Sequence, residues 1–308
     1  MKEEILFTMK SPYRDDFKIH GFRFGDGEKT LAIVGAMRGD EVQQQFICSQ
    51  VVKNLIELES AGKIPPGHEI LVVPSANHFS MNINKRFWAM DNTDINRMFP
   101  GYNKGETTQR IASALFEAIK GYKYGIHLAS FYMPGEFIPH VRMMNTGFQN
   151  VKLAKNFGLP YILISDPKPY DTTVLNYNWQ VFGTQAFSIY SGDTDIIDKA
   201  SAKIAWLSIL RFMNKMKIID HNMPDGFISY VMKDKDLETI ITDQSGILYS
   251  LRSAGDEIKT GDLLAKILDP FTGDTRSTIL SPCDGTIFFA HHKPLIHQNT
   301  VVFRIIKF

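Results

Sequence analysis

The chemistry most visible in this chain lies in one polar stretch and a scatter of arginines. Arg86 precedes Ala89-Met-Asp-Asn-Thr-Asp-Ile-Asn-Arg-Met-Phe-Pro-Gly101, where Asp94, Asn96 and Arg97 sit in a run with neither helical nor alternating periodicity. Taken singly, each reads as an ordinary loop residue, because Asp and Asn bond to nearby backbone in turns. What chemistry the stretch could carry rests on its arginine, whose planar, permanently charged fork matches a carboxylate bidentately. Arg38, Arg86, Arg97 and Arg142 together would make a strongly anion-attracting pocket.

These residues need a scaffold, and the apolar pattern supplies one. Leu31–Val34 reads as a buried strand ending at Gly35-Ala36, and Asp40 as the N-cap of a helix from Glu41 to about Ser60. Ile70–Val73 is a second strand, followed by a turn-rich segment from Pro74 to Gly105. A helix over Thr107–Ile119, strands at Tyr124–His127, Tyr161–Ile164 and Ala186–Tyr190, and a helix from about Asp195 to Met216 complete the alternation. Strands alternating with helices predict a mostly parallel sheet covered on both faces, with functional residues at the strands' carboxyl ends.

Beyond Asp220 the texture changes to short strands between closely spaced Gly and Asp turns, such as Ala254-Gly-Asp256, Thr260-Gly-Asp262 and Thr272-Gly-Asp274. The expected organisation is an α/β domain over 1–221 and an all-β module over 222–308. Gln244–Tyr249 and Pro282–Phe288 look alike, as in a pseudo-symmetric barrel-sandwich, and the module resembles the biotinyl/lipoyl-like β-sandwich. A carrier role would need a modifiable lysine on a hairpin of that module. The nearest imitation, Met216-Lys217-Ile218, lies outside it at a helix end, so the carrier reading fails.

Composition narrows the rest. The 308 residues suit two domains, and 44% hydrophobic with 22% charged residues is a globular balance. A net charge of +1 argues against a protein that coats nucleic acid or an anionic membrane. The apolar runs are too short for a membrane span, and MKEEILFTMK does not resemble a secretory leader. Cys48 and Cys283 alone make no disulfide framework, so a cytoplasmic location is expected.

Asp94-Ile-Asn-Arg-Met-Phe-Pro-Gly101, with Pro74-Ser-Ala-Asn77 upstream, closely resembles the signature of the succinylglutamate desuccinylase/aspartoacylase family, a branch of the zinc carboxypeptidase-like hydrolases. The resemblance runs over nearly the whole chain. It implies a mixed, mostly parallel α/β fold and a metal-dependent hydrolase cleaving an amide bond of an N-acyl amino acid or similar small carboxylate. Asn96 and Arg97 fall on the pair that binds the substrate carboxylate, with Arg38, Arg86 and Arg142 as further substrate-binding candidates. Zinc is the implied cofactor, and Glu41 and His127 fall on two ligand positions. The expected His of a His-Gly-x-Glu motif is Arg38, which has no lone pair to offer a metal. Arg38 is therefore predicted to pair with Glu41 as the local positive charge. Gly125 stands where the family has an Asp two residues before the ligand His.

Tyr190 stands where the family has its catalytic Glu. Tyr190 and Glu136 are the catalytic candidates, with Asp193 and Asp195 just beyond, and His78 and His140 could complete a relocated metal site. Three functions are weighed: the hydrolase; a catalytically silent relative that holds a small carboxylate or peptide in an Arg-lined pocket; and a structural role for the β module. The retained Asn96-Arg97 pair counts against the last. The expected partner is a small carboxylate, with no nucleic acid or membrane, and self-association is left open.

Overall fold

The computed structural model describes residues 1–308. Its first two strands, β1 (Lys2–Met9) and β2 (Phe17–Phe24), form an antiparallel hairpin that joins the sheet beside β4 (Gly67–Ser75). Strand β3 (Gly27–Ala36) leads into helix α1 (Val42–Ser60) and pairs in parallel with β4. After β4 come the short α2 (His78–Met81), a 3-10 turn at Ile95–Arg97 and helix α3 (Thr107–Ile119). The parallel core continues through β5 (Tyr124–Leu128) to β8 (Gln185–Gly192). Between those two lie β6 (Gly135–Met144), α4 (Val151–Ala154), β7 (Tyr161–Ser165) and α5 (Leu175–Val181), and β8 is followed by α6 (Lys199–Lys215).

The alternation in β3 shows why the sheet is covered on both sides. Leu31 and Ile33 enter a core with Ile47, Val51 and Leu55 of α1 and Ile209 and Phe212 of α6. Ala32 and Val34 enter a second core with Ile111 and Leu115 of α3 and Leu175 and Trp179 of α5. Successive strand side chains point to opposite faces, so one apolar run feeds both layers.

The sheet is mixed, as expected, with parallel pairings concentrated at its centre: β3, β4, β5 and β8 run parallel there, while β1, β2 and β6 add antiparallel pairings at its flanks. One expectation needs correction. Asp40 does not cap α1. Glu41 is the N-cap residue, without a side-chain cap bond, and the Asp40 carboxylate pairs with Arg86.

The C-terminal segment is strands and turns apart from one 3-10 turn at Asp234–Asp236, which separates the first two strands: β9 (Tyr230–Lys233), β10 (Leu237–Ile241), β11 (Gly246–Ser250), β12 (Glu257–Ile258), β13 (Leu263–Leu268), β14 (Thr275–Leu280), β15 (Gly285–His291), β16 (Leu295–Ile296) and β17 (Val301–Lys307). A four-stranded sheet in the order β14-β13-β11-β16 packs on the other strands through Leu248, Ile267, Ile287 and Phe303. The similar segments at 244–249 and 282–288 thus contribute to different sheets. Two pairings tie this region to the α/β part: β15 lies antiparallel to β6, and β9 lies parallel to β7. Phe131, Phe137 and Leu163 share a cluster with Phe288, Phe289 and Ile306 across that seam. No helix is long and apolar enough to cross a membrane.

Candidate functional site

Strands β3, β5, β6, β7 and β8, and the loops at their ends, surround a cavity of about 700 Å³. Its wall includes Arg38, Asn96, Arg97, His127, Ser130, Arg142 and Tyr190, together with Lys168, Asp171, Asp234 and Arg304. Of the residues expected from sequence, Arg38, Asn96, Arg97, His127, Arg142 and Tyr190 are brought together here.

Arg38 lies at the turn between β3 and α1. That turn is pressed against the Ser80–Lys85 loop, where a Cβ on Gly39 would stand 2.2 Å from the Lys85 carbonyl oxygen, so only glycine fits. The Arg38 side chain is 7% exposed. Its Nη1 donates to Glu41 Oε1 at 3.0 Å, and its Nε and Nη2 donate to Asp94 Oδ2 at 3.1 and 2.8 Å. Burial opposes its charge, but Asp94 and Glu41 outweigh that and hold the guanidinium protonated more firmly than a free arginine.

Glu41 is fully buried beneath Arg38 and Ser130, and both its oxygens are occupied. Oε2 accepts from the backbone amides of Met37 at 2.7 Å and Arg38 at 3.0 Å. Oε1 accepts from Ser130 Oγ at 2.5 Å as well as from Arg38. Burial alone would raise this carboxyl; Arg38, His127 and Ser130 reverse the effect and hold it below the usual range.

His127 stands near the end of β5, 2% exposed, with Nε2 unbonded. Burial pushes its pKa down to about 4 despite the pull of Glu41, leaving a neutral imidazole. Gly125, two residues earlier, has the Trp179 ring 2.7 Å from where a Cβ would stand, so no carboxylate can support His127 from that position.

Asp94 caps the Ile95–Arg97 turn by accepting from the Asn96 amide at 3.0 Å. Asn96 Oδ1 accepts from the Leu175 amide at 3.2 Å, which fixes its side chain at the cavity wall. Arg97 lies over the Tyr170 ring and donates through Nη1 to the Tyr170 carbonyl and to Asp171. Arg142 on β6 donates to Ser165 Oγ at 3.0 Å and lies 5.7 Å above the Tyr190 ring. Tyr190 stacks on His140, whose Nδ1 lies 2.8 Å from the Ile138 carbonyl. Burial pushes the His140 pKa down to about 3.

Other sequence candidates are elsewhere. Arg86 does not line the cavity; its fork is spent on Asp40 at 2.5 Å and the Phe131 carbonyl at 2.9 Å. Glu136 faces the C-terminal strands, accepting from the Ala254 amide at 2.7 Å, and is not at the cavity wall. His78 stacks on Phe17. Asp193 and Asp195 meet His292 instead of the cavity.

Three contributors were not visible in the sequence. Arg304 on β17 and Asp234 after β9 reach the cavity only because the C-terminal strands fold back against β6 and β7. Lys168 arrives on the loop after β7. None belongs to a motif, so no local signal marks them.

Residues 27–214 match the model of the succinylglutamate desuccinylase/aspartoacylase catalytic domain. The chain belongs to this family. A succinylglutamate desuccinylase/aspartoacylase from Rhodobacter sphaeroides shares the fold at 17% identity and a TM-score of 0.78, over 94% of this chain and 89% of that one. A succinylglutamate desuccinylase from Silicibacter sp. TM1040 gives 17% identity and a TM-score of 0.81, over 99% of this chain and 95% of that one. The ectoine utilization protein EutE (DoeB) from Ruegeria pomeroyi, a product-bound structure, gives 18% and 0.78, over 94% and 89%. No curated protein matches the sequence.

The desuccinylase/aspartoacylase resemblance raised zinc, and the donor set does not fit it. A zinc site needs three protein ligands with free lone pairs. Of the three positions the motif supplies, Glu41 has both oxygens engaged by four hydrogen-bond donors, Arg38 has no lone pair, and only His127 Nε2 is free to ligate.

Proposed function

We propose that this member of a hydrolase family binds a small carboxylate in the Arg-lined cavity on fixed charges rather than on a metal. The observation that carries this reading is Arg38, clamped between Glu41 and Asp94 at the cavity wall. A buried guanidinium there occupies the carboxylate oxygens that a divalent ion would otherwise use and has no lone pair of its own to offer one. Arg38 is offset by Glu41 and Asp94, and Arg97 by Asp171, which leaves Lys168 and the pair Arg142 and Arg304, sharing Asp234, to attract an anionic guest. Arg97 and Asn96 orient the ligand's carboxylate, while Tyr190 and Arg142 line the opposite strands. Tyr190, with a phenol in place of a carboxylate, offers an O–H that can donate a hydrogen bond to a bound anion.

The alternative, a metal-dependent amide hydrolase, draws on the unbonded His127 Nε2 at the cavity wall. Calorimetric titration with N-acetylglutamate, in chelator and in excess zinc, separates the two. Binding of equal strength in both, without acetate release, supports the fixed-charge reading. Binding or acetate release that requires zinc overturns it.

A further inference from the structure

Away from the cavity, three potential metal ligands converge where β8 leaves the sheet and the turn after β15 crosses it. His292 Nδ1 lies 2.9 Å from Asp193 Oδ2, and His292 Nε2 lies 3.8 Å from Asp195 Oδ1. The ligand atoms of Asp193, Asp195 and His292 all fall within 4.8 Å of one another. Despite its approach to Asp193, the shielded His292 Nδ1 makes no aligned hydrogen bond. A shielded imidazole nitrogen without an aligned partner is costly, and an ion seated between it and the carboxylates would supply the missing bond.

The geometry points to a second, unassigned site for a first-row divalent metal ion, held by Asp193, Asp195 and His292. One imidazole and two carboxylates are a donor set that transition ions accept, with positions left for water. His292 has a 26% exposed side chain and Asp195 a 37% exposed one, so the site opens to solvent. Two other contacts must be accommodated. Asp193 Oδ1 accepts from the Thr194 amide at 2.6 Å, leaving Oδ2 for the ion, and Lys293 Nζ, 3.9 Å from Asp195, swings outward as the ion enters. The ion would link the end of β8 to the C-terminal strands. That is a structural clasp, separate from the carboxylate cavity and independent of its function.

Titrating the full chain with cobalt(II), followed by calorimetry and by visible absorption, tests this. The expected result is one ion per chain, a melting temperature raised by saturating metal, and affinity weakened roughly tenfold or more in Asp193→Asn and in His292→Ala. His127→Ala should leave cobalt binding unchanged. No stoichiometric binding by the parent chain, undiminished binding in His292→Ala, or loss of binding in His127→Ala would each overturn the proposal. Circular dichroism of each variant confirms that a lost ion is not a lost fold.

Discussion

The Arg38 guanidinium holds Glu41 at 3.0 Å and is itself 7% exposed, so the two form a buried ion pair at the base of the cavity. Removing one member of such a pair strands the other charge out of water, which costs far more than the pair contributes. Arg38→Met should therefore lower unfolding free energy by about 3–5 kcal/mol. Replacing Glu41 with Gln in the same chain should recover a large part of that loss. Urea denaturation of both variants decides it, and a single variant with an unchanged midpoint would show that the pair is not holding the turn.

For the ligand, Arg97→Ala should weaken carboxylate binding by about 1.5–3 kcal/mol, roughly tenfold to a hundredfold, through loss of a charge-assisted bond. Arg86→Ala should instead act on stability, because Arg86 is tied to Asp40 and the Phe131 carbonyl. Calorimetric titration alongside thermal melts separates the two effects.

Acid sensitivity follows from the buried histidines. Burial lowers His127 to about 4 and His140 to about 3, while in the unfolded chain both titrate near the ordinary histidine value of 6.5. Below that value the unfolded state takes up protons that the folded state refuses, so stability is full above it and declines as pH falls. Each histidine contributes a slope of up to about 1.4 kcal/mol per pH unit between its two pKa values. Replacing His140 with Phe, which keeps an aromatic ring against Tyr190, should flatten the acid side of the stability–pH curve. An unaltered slope in that variant would show that His140 is not buried in the neutral form.

The seam between β6 and β15 predicts how the chain unfolds. Phe289 pairs in register with Phe137 and shares its apolar cluster, so neither side of the seam can open without exposing the other. Denaturation should proceed in one transition, and Phe289→Ala should lower the unfolding free energy by about 3–5 kcal/mol. A biphasic curve, with only one phase sensitive to Phe289→Ala, would mean that the C-terminal strands unfold on their own.

Much of this was legible in the sequence where local pattern dictates structure. Thr107–Ile119 is helical over the expected span, and the β3, β4 and β5 runs are strands because apolar residues there must bury both faces. The motif at 94–101 located Asn96 and Arg97 at the cavity. Less local features were missed. The hairpin of β1 and β2 and the long β6 carry mixed polar residues, whose strand character depends on neighbours distant in sequence. Glu136 misled because its position after His127 suggested the cavity, whereas strand alternation turns it towards Ala254. Arg304 was invisible for the converse reason: its partner Asp234 lies seventy positions away and its cavity is built by other strands.

Asp94 divides its carboxylate, giving one oxygen to the Asn96 amide and the other to Arg38. A carboxylate is flat and rigid, so neither oxygen can turn without moving the other. The loop that presents Asn96 and Arg97 is thereby yoked to the buried cation, and a guest that tugs on the loop tugs on Arg38 as well. Losing Asp94 would disengage both ends at once, so its replacement should resemble neither a pure binding defect nor a pure folding defect.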